Sequence, residues 1–248
     1  MFAIQPGKAG QLLNEFGKYF SEVKAVLVIS PHWITEGLEV TALESLETIH
    51  DFYGFPDLLY QLGYDAPGSR GIAIEIKEHL AAQRYIVGLN GSRGRDHGAW
   101  VPMMHLLPEM MQPVLQLSLD KTMSPTDLIK LGESLIEIRD QGIAIIASGS
   151  ITHNLYDLKA YRAPVLPYAE RFQNWVRARV VDRNIEHLSF PDKFTSDFKR
   201  AHPTNEHYVT LLLAMGASDE KDTLTIIEGG ILYGAGSMES YGWFNHLG

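Results

Sequence analysis

Cysteine is absent from the 248 residues, which excludes structural disulfides, thiolate metal sites and a cysteine nucleophile. Surplus positive charge is absent as well. The formal net charge is −9, so an electrostatic grip on nucleic acid or on an anionic membrane is not expected. No apolar run reaches the ~18 residues of a membrane span, and the opening MFAIQPGKAG lacks the basic and then apolar segments of a secretory leader. Internal repeats, low-complexity tracts and linkers are missing too. These absences predict a cytoplasmic protein acting on a small molecule, as a monomer or small homo-oligomer, with residues 1–248 forming one domain large enough to bury a core without staples.

What the chain does have is alternation of strand-like and amphipathic stretches. Residues 7–20, 70–83 and 125–141 read as helical, and 24–30, 113–119 and 143–148 read as strands rich in Val, Ile and Leu. This pattern predicts an α/β domain with a largely parallel central sheet flanked by helices. The stretch 223–244 is strand-like but broken by glycines, predicting antiparallel strands or a hairpin at the sheet edge. Residues 49–69 form a long connection dense in aromatics, Gly and Pro, and long ordered loops are often functional.

In open α/β sheets the ligand crevice lies at the carboxyl ends of the strands. His32 follows the 24–30 run in KAVLVISPHW, and His153 follows the 143–148 run in ASGSITHNL. His97 sits between glycine-rich flanks in GSRGRDHGAW, a loop-like setting. His207 falls in the first turn of a helix whose start is read at Pro203-Thr204, with Thr204 as N-cap, where the helix dipole favours the neutral, metal-binding imidazole. None of these patterns is a self-sufficient ligand motif such as His-Glu-x-x-His. His79, His105, His187 and His246 read as ordinary helix, core or surface histidines.

The ordered set SPHW (30–33), IHDFYGFP (49–56), YDAPGS (64–69), DHGAW (96–100), ASGSITHNL (147–155) and PTNEHY (203–208) resembles the class III extradiol ring-cleavage dioxygenases, in the branch of the 4,5-DOPA extradiol enzymes. The resemblance covers nearly the whole chain. It implies a non-haem Fe(II) enzyme that inserts O₂ into a catechol, with His32 and His207 as metal ligands. His153 would be the acid/base group or a further ligand, and His97 a pocket residue and second acid/base candidate. A catechol chelates through both oxygens while O₂ takes another position, so the protein holds only one face of the metal. His50, Tyr53 and Phe55 are the candidates for substrate contact.

Two departures accompany the resemblance. Family members begin with a strand and a His-Gly-Ser-Pro-type segment carrying the first metal ligand; this chain is expected to start just past it and so to bind metal weakly. Arg95 stands where an apolar residue is usual and is expected to alter the charge of the pocket. The alternatives kept open are a zinc-dependent hydrolase on the same scaffold, since Zn(II) suits the same imidazoles, and a non-catalytic small-molecule binding protein.

Overall fold

The computed structural model describes residues 2–109 and 111–244; His246 lies outside them. In chain order the elements are α1 (Gly7–Phe16), β1 (Ala25–Thr35), β2 (Leu38–Thr41), α2 (Arg70–Ala82), β3 (Val87–Asn90), α3 (His97–Leu106), β4 (Val114–Asp120), α4 (Pro125–Ser134), α5 (Ile136–Asp140), β5 (Ile143–Ala147), α6 (Pro167–Val181), α7 (Ile185–Ser189), α8 (Pro191–Phe194), α9 (Phe198–Ala201), α10 (Glu206–Gly216), β6 (Thr223–Leu232) and β7 (Gly236–Phe244). The architecture is α/β with a mostly parallel central sheet, helices around it and an antiparallel pair of strands at the C-terminal end. Two compact units make up the chain, residues 1–123 with 134–148, and residues 124–133 with 149–248. Among the described residues no helix is long and apolar enough to cross a membrane.

The first unit is built on a five-stranded sheet in the order β3-β2-β4-β1-β5. Strand β1 pairs in parallel with β4 on one side and β5 on the other, and β2 pairs in parallel with β3. One antiparallel junction, Val40 opposite Leu117, joins the two sets. Ala25 to Ile29 are wholly buried, because a central parallel strand is covered on both faces and can carry only apolar side chains there.

Strand β1 does not stop at Ser30, as the sequence suggested, but runs on to Thr35. Its pairing with β4 breaks after Ile29–Leu117 and resumes at Ile34–Leu119. Four residues, Ser30 to Trp33, therefore stand against the single residue Ser118. A proline has no amide to give a ladder, so Pro31 fits only where pairing is interrupted, and the resulting bulge lets a polar His32 leave a buried strand.

Other expectations are adjusted in the same way. The 7–20 segment is α-helical to Phe16 and then tightens into a 3₁₀ turn. The 125–141 segment is two helices, α4 and α5, separated at the fully buried Leu135. The strands β2 and β3 have four residues each, too short for their alternation to be read. In the second unit α6 escaped the sequence reading although Tyr168, Phe172, Val176 and Val180 recur at a helical spacing of four and are all buried. The C-terminal hairpin was expected at the sheet edge. It forms its own two-stranded sheet instead, anchored to α6 by Arg177, whose Nε donates to Oε1 of the buried Glu239 at 3.0 Å.

Arg95 does not charge a pocket. Its side chain is wholly buried, with Nε donating to the Val114 carbonyl at 3.1 Å, Nη1 to Tyr64 O at 3.3 Å and Nη2 to Pro67 O at 2.8 Å. Burial lowers its pKa to about 10, partly countered by Tyr64 and Asp65, so it stays charged at neutral pH. The guanidinium thus pins the end of the long connection to β4. Replacing it by an apolar side chain removes the charged donor from the Val114 and Tyr64 carbonyls, while Pro67 O keeps the Val114 amide at 2.8 Å, so Arg95→Met is expected to cost about 2–4 kcal/mol, measured as a fall in urea midpoint at unchanged m-value.

Candidate active site

Two histidine clusters stand out, one in each unit. In the first, His32, Asp51 and His97 offer ligand atoms all within 4.8 Å of one another. His97 is not in a loop but opens α3, whose N-cap Asp96 accepts the amide of Ala99. Asp96 is itself wholly buried and also accepts from Ser30 Oγ at 2.6 Å, Gln116 Nε2 at 2.9 Å and Arg93 Nη2 at 3.2 Å. One carboxylate therefore ties β1, β4 and the start of α3 together. Arg93 further donates to the His32 carbonyl at 3.1 Å, fixing the backbone of the bulge.

Helix α3 meets β1 at Gly98. A Cβ there would lie 2.2 Å from Ser30 Oγ and 2.9 Å from the His32 ring, so only glycine allows the imidazoles of His32 and His97 to come to 4.0 Å between centroids. Asp51 arrives from the long connection. Its Oδ1 accepts the His97 amide at 2.9 Å and faces His97 Nδ1 at 2.8 Å, and its Oδ2 lies 3.5 Å from His32 Nδ1. Burial alone would raise the Asp51 pKa, but the side-chain and backbone hydrogen bonds from His97 outweigh it and hold the carboxyl at about 2.

The connection that supplies Asp51 is docked by its backbone. Ile49 donates to the Arg95 carbonyl at 2.7 Å, and Trp100 Nε1 donates to Ile49 O at 3.0 Å. His50 is tied to Leu62 O through Nε2 at 2.8 Å. Phe52 sets its ring edge-on to His97 at 5.4 Å. Of the residues singled out for substrate contact, Tyr53 is 88% exposed and Phe55 42%, while Phe55 stacks its edge on Phe52.

In the second unit His153, Glu206 and His207 form an equally tight group. The rings of His153 and His207 stack at 3.5 Å with 9° between planes, and His207 Nδ1 lies 3.1 Å from Glu206 Oε1. Helix α10 begins one residue later than expected, with Asn205 as N-cap, and Thr204 instead donates its hydroxyl to Glu206. His207 is still in the first turn. Burial raises the Glu206 carboxyl, but the amide of Glu206 itself, Thr204 and His207 together bring it below the usual range. Gly149 makes the stack possible, because a Cβ there would lie 2.4 Å from the His207 carbonyl, which accepts the amide of Ser150.

Asp51, Phe52 and Glu206 were missed by sequence reasoning. Each stands beside a residue that was picked, inside IHDFYGFP or PTNEHY, so the signal was the motif and not the residue type. A carboxylate on Nδ1 fixes the proton there and leaves the lone pair on Nε2, the arrangement by which proteins orient imidazole ligands. The set of imidazoles and carboxylates suits Fe(II) or Zn(II) and does not suit a soft-metal site.

Comparison with known proteins agrees with this chemistry. Residues 11–234 match the family described as the catalytic LigB subunit of aromatic ring-opening dioxygenase. The chain is 39% identical to a 4,5-DOPA dioxygenase extradiol of Beta vulgaris, over 95% of this chain and 91% of that protein. It is 34% identical to a protein of the same description from Escherichia coli K12, over 92% and 84%. A crystal structure of an uncharacterized Escherichia coli K12 protein superposes with a TM-score of 0.78 at 31% identity, covering 94% of this chain and 91% of that one. The chain belongs to the LigB family of metal-dependent aromatic ring-opening dioxygenases. Within it, the chain is an extradiol ring-cleaving enzyme.

Behind the second cluster lies His202, 4% exposed, with Nε2 against the Ile151 carbonyl at 2.9 Å. Burial depresses its pKa to about 4. An unfolded histidine titrates near 6.5, so the unfolded chain binds a proton that the folded one refuses as pH falls from about 6.5 to 4. Stability from this group is full above that window and lost through it, by about 3 kcal/mol. Urea unfolding of chelator-treated protein across the window should show that loss, and His202→Gln, whose amide can reach the same carbonyl, should flatten it.

Proposed function

We propose that the chain opens the ring of a catechol of the DOPA type beside its hydroxyls, using O₂ and a non-haem Fe(II), in the cytoplasm. Family membership and the 39% identity to a DOPA dioxygenase support the substrate class. The observation that carries the reading is the pairing of imidazoles with carboxylates in both clusters, His97 and His32 with Asp51, and His207 with Glu206. His32 and His207 are the proposed metal ligands, and the resident ferrous ion would bind the catechol oxygens and activate O₂.

The protein's own groups then handle protons and position. His153, stacked on His207, takes a proton from a catechol hydroxyl and returns one as the ring opens. His97 is the second proton carrier. The connection bearing His50, Phe52, Tyr53 and Phe55 offers ring faces and edges beside His97 for an aromatic substrate. Both oxygen atoms enter the product, so no external reductant is required.

Anaerobic loading with Fe(II), followed by DOPA and O₂, should consume one O₂ per catechol and give a product of the combined mass. Metal-dependent ester or amide hydrolysis with no O₂ uptake on any catechol would reject the reading in favour of a hydrolase. In the same assay His153→Ala should lower turnover by roughly 10²–10⁴ while keeping most of the metal; metal lost together with activity would instead make His153 a ligand.

A further inference from the structure

A single carboxylate serves two imidazoles of different proposed duty. Asp51 reaches them from the long connection between β2 and α2, and its two oxygens are used differently. Oδ1 takes both the amide and the Nδ1 side of His97, at 2.9 and 2.8 Å. Oδ2 faces Nδ1 of His32 at 3.5 Å. The His97 amide is the first of α3, at the positive end of that helix, which further favours an anion there. The carboxylate is about a quarter exposed, so it is held by these contacts and not merely buried.

The geometry points to Asp51 as the positioning residue of the site, locking His97 in the tautomer with the proton on Nδ1 and the lone pair on Nε2, and biasing His32 the same way from the opposite oxygen. Only in that tautomer can His97 accept a substrate proton at Nε2 and His32 present the same nitrogen to a metal. Asp51 acts through the two rings and does not touch the substrate. Its effect on turnover rests on the ring-cleavage reading above, whereas its effect on the rings does not.

The two oxygens make two variants diverge. In Asp51→Ala both imidazoles lose the carboxylate on their Nδ1 side. In Asp51→Asn the His97 amide still demands an acceptor at the Oδ1 position, so the carbonyl oxygen should stay there and the amide nitrogen should turn to His32. That places a donor against His32 Nδ1 and forces its proton onto Nε2.

Long-range proton–nitrogen NMR on the metal-free protein, at about pH 8 where imidazoles are neutral, reads the tautomers directly. His97→Gln and His32→Gln identify the signals. Wild type should show the Nδ1–H form at both residues. Asp51→Ala should lose it at His97, and Asp51→Asn should keep it at His97 while His32 switches to Nε2–H. With Fe(II) loaded, Asp51→Ala should lower kcat by roughly 10² or more with little change in KM, and Asp51→Asn should weaken metal binding about 10- to 100-fold. An unchanged His97 tautomer in Asp51→Ala, or unchanged tautomers at both rings in Asp51→Asn, would overturn the inference. If the wild-type protein opens no catechol ring, the functional reading fails by itself and the tautomer result still decides the role of Asp51.

Discussion

The buried carboxylate of Asp96 is the interaction on which the first cluster depends. It accepts from Ser30 on β1, Gln116 on β4, Arg93 and the first turn of α3, so it ties two strands of the sheet to the segment that leads into α3. An ionised group removed from water is costly unless its lone pairs are filled, and here they are filled by the groups that must converge to bring His97 beside His32. Polar satisfaction and site assembly are therefore the same event. The bulge in β1 complements it, because it frees Ser30 to face Asp96 and turns His32 out of an otherwise apolar strand.

Both clusters share a construction. A glycine lets one segment press against the backbone or ring of another, Gly98 against Ser30 and His32, Gly149 against the His207 carbonyl. An acid then stands on the Nδ1 side of an imidazole. Each acid is more ionised than an ordinary carboxyl despite partial burial, since the hydrogen bonds it receives exceed the desolvation it suffers. Each cluster thus carries fixed negative charge that favours a cation and holds its imidazoles in one orientation.

Much of the framework was legible because it follows from local rules. Runs of Val, Ile and Leu bounded by helical segments declare a largely parallel sheet, and β1, β4 and β5 lie where those runs are. The glycine-broken C-terminal stretch declared a hairpin, with a register shift between Glu228 and Ile231, where the glycines fall. What stayed hidden was set by partners distant in sequence. The four-residue strands β2 and β3 exist through their pairing, and the separate sheet of the hairpin is fixed by packing against α6. Arg95 looked like a charge for a pocket, since its neighbours in sequence say nothing of the carbonyls of Tyr64, Pro67 and Val114 that receive it.

By itself the sequence determined the class of fold, the absence of thiol chemistry and the motifs that hold His32, His97, His153 and His207, because composition and short-range periodicity act along the chain. Only the tertiary structure decided which atoms meet: that Asp51 closes on His97 across 46 residues, that Gly98 admits α3 to the bulge, and that His153 lies flat on His207. The physical reason is that a hydrogen bond or a ring contact depends on distances of a few ångströms between side chains, and those distances follow from how strands and helices pack, not from their order.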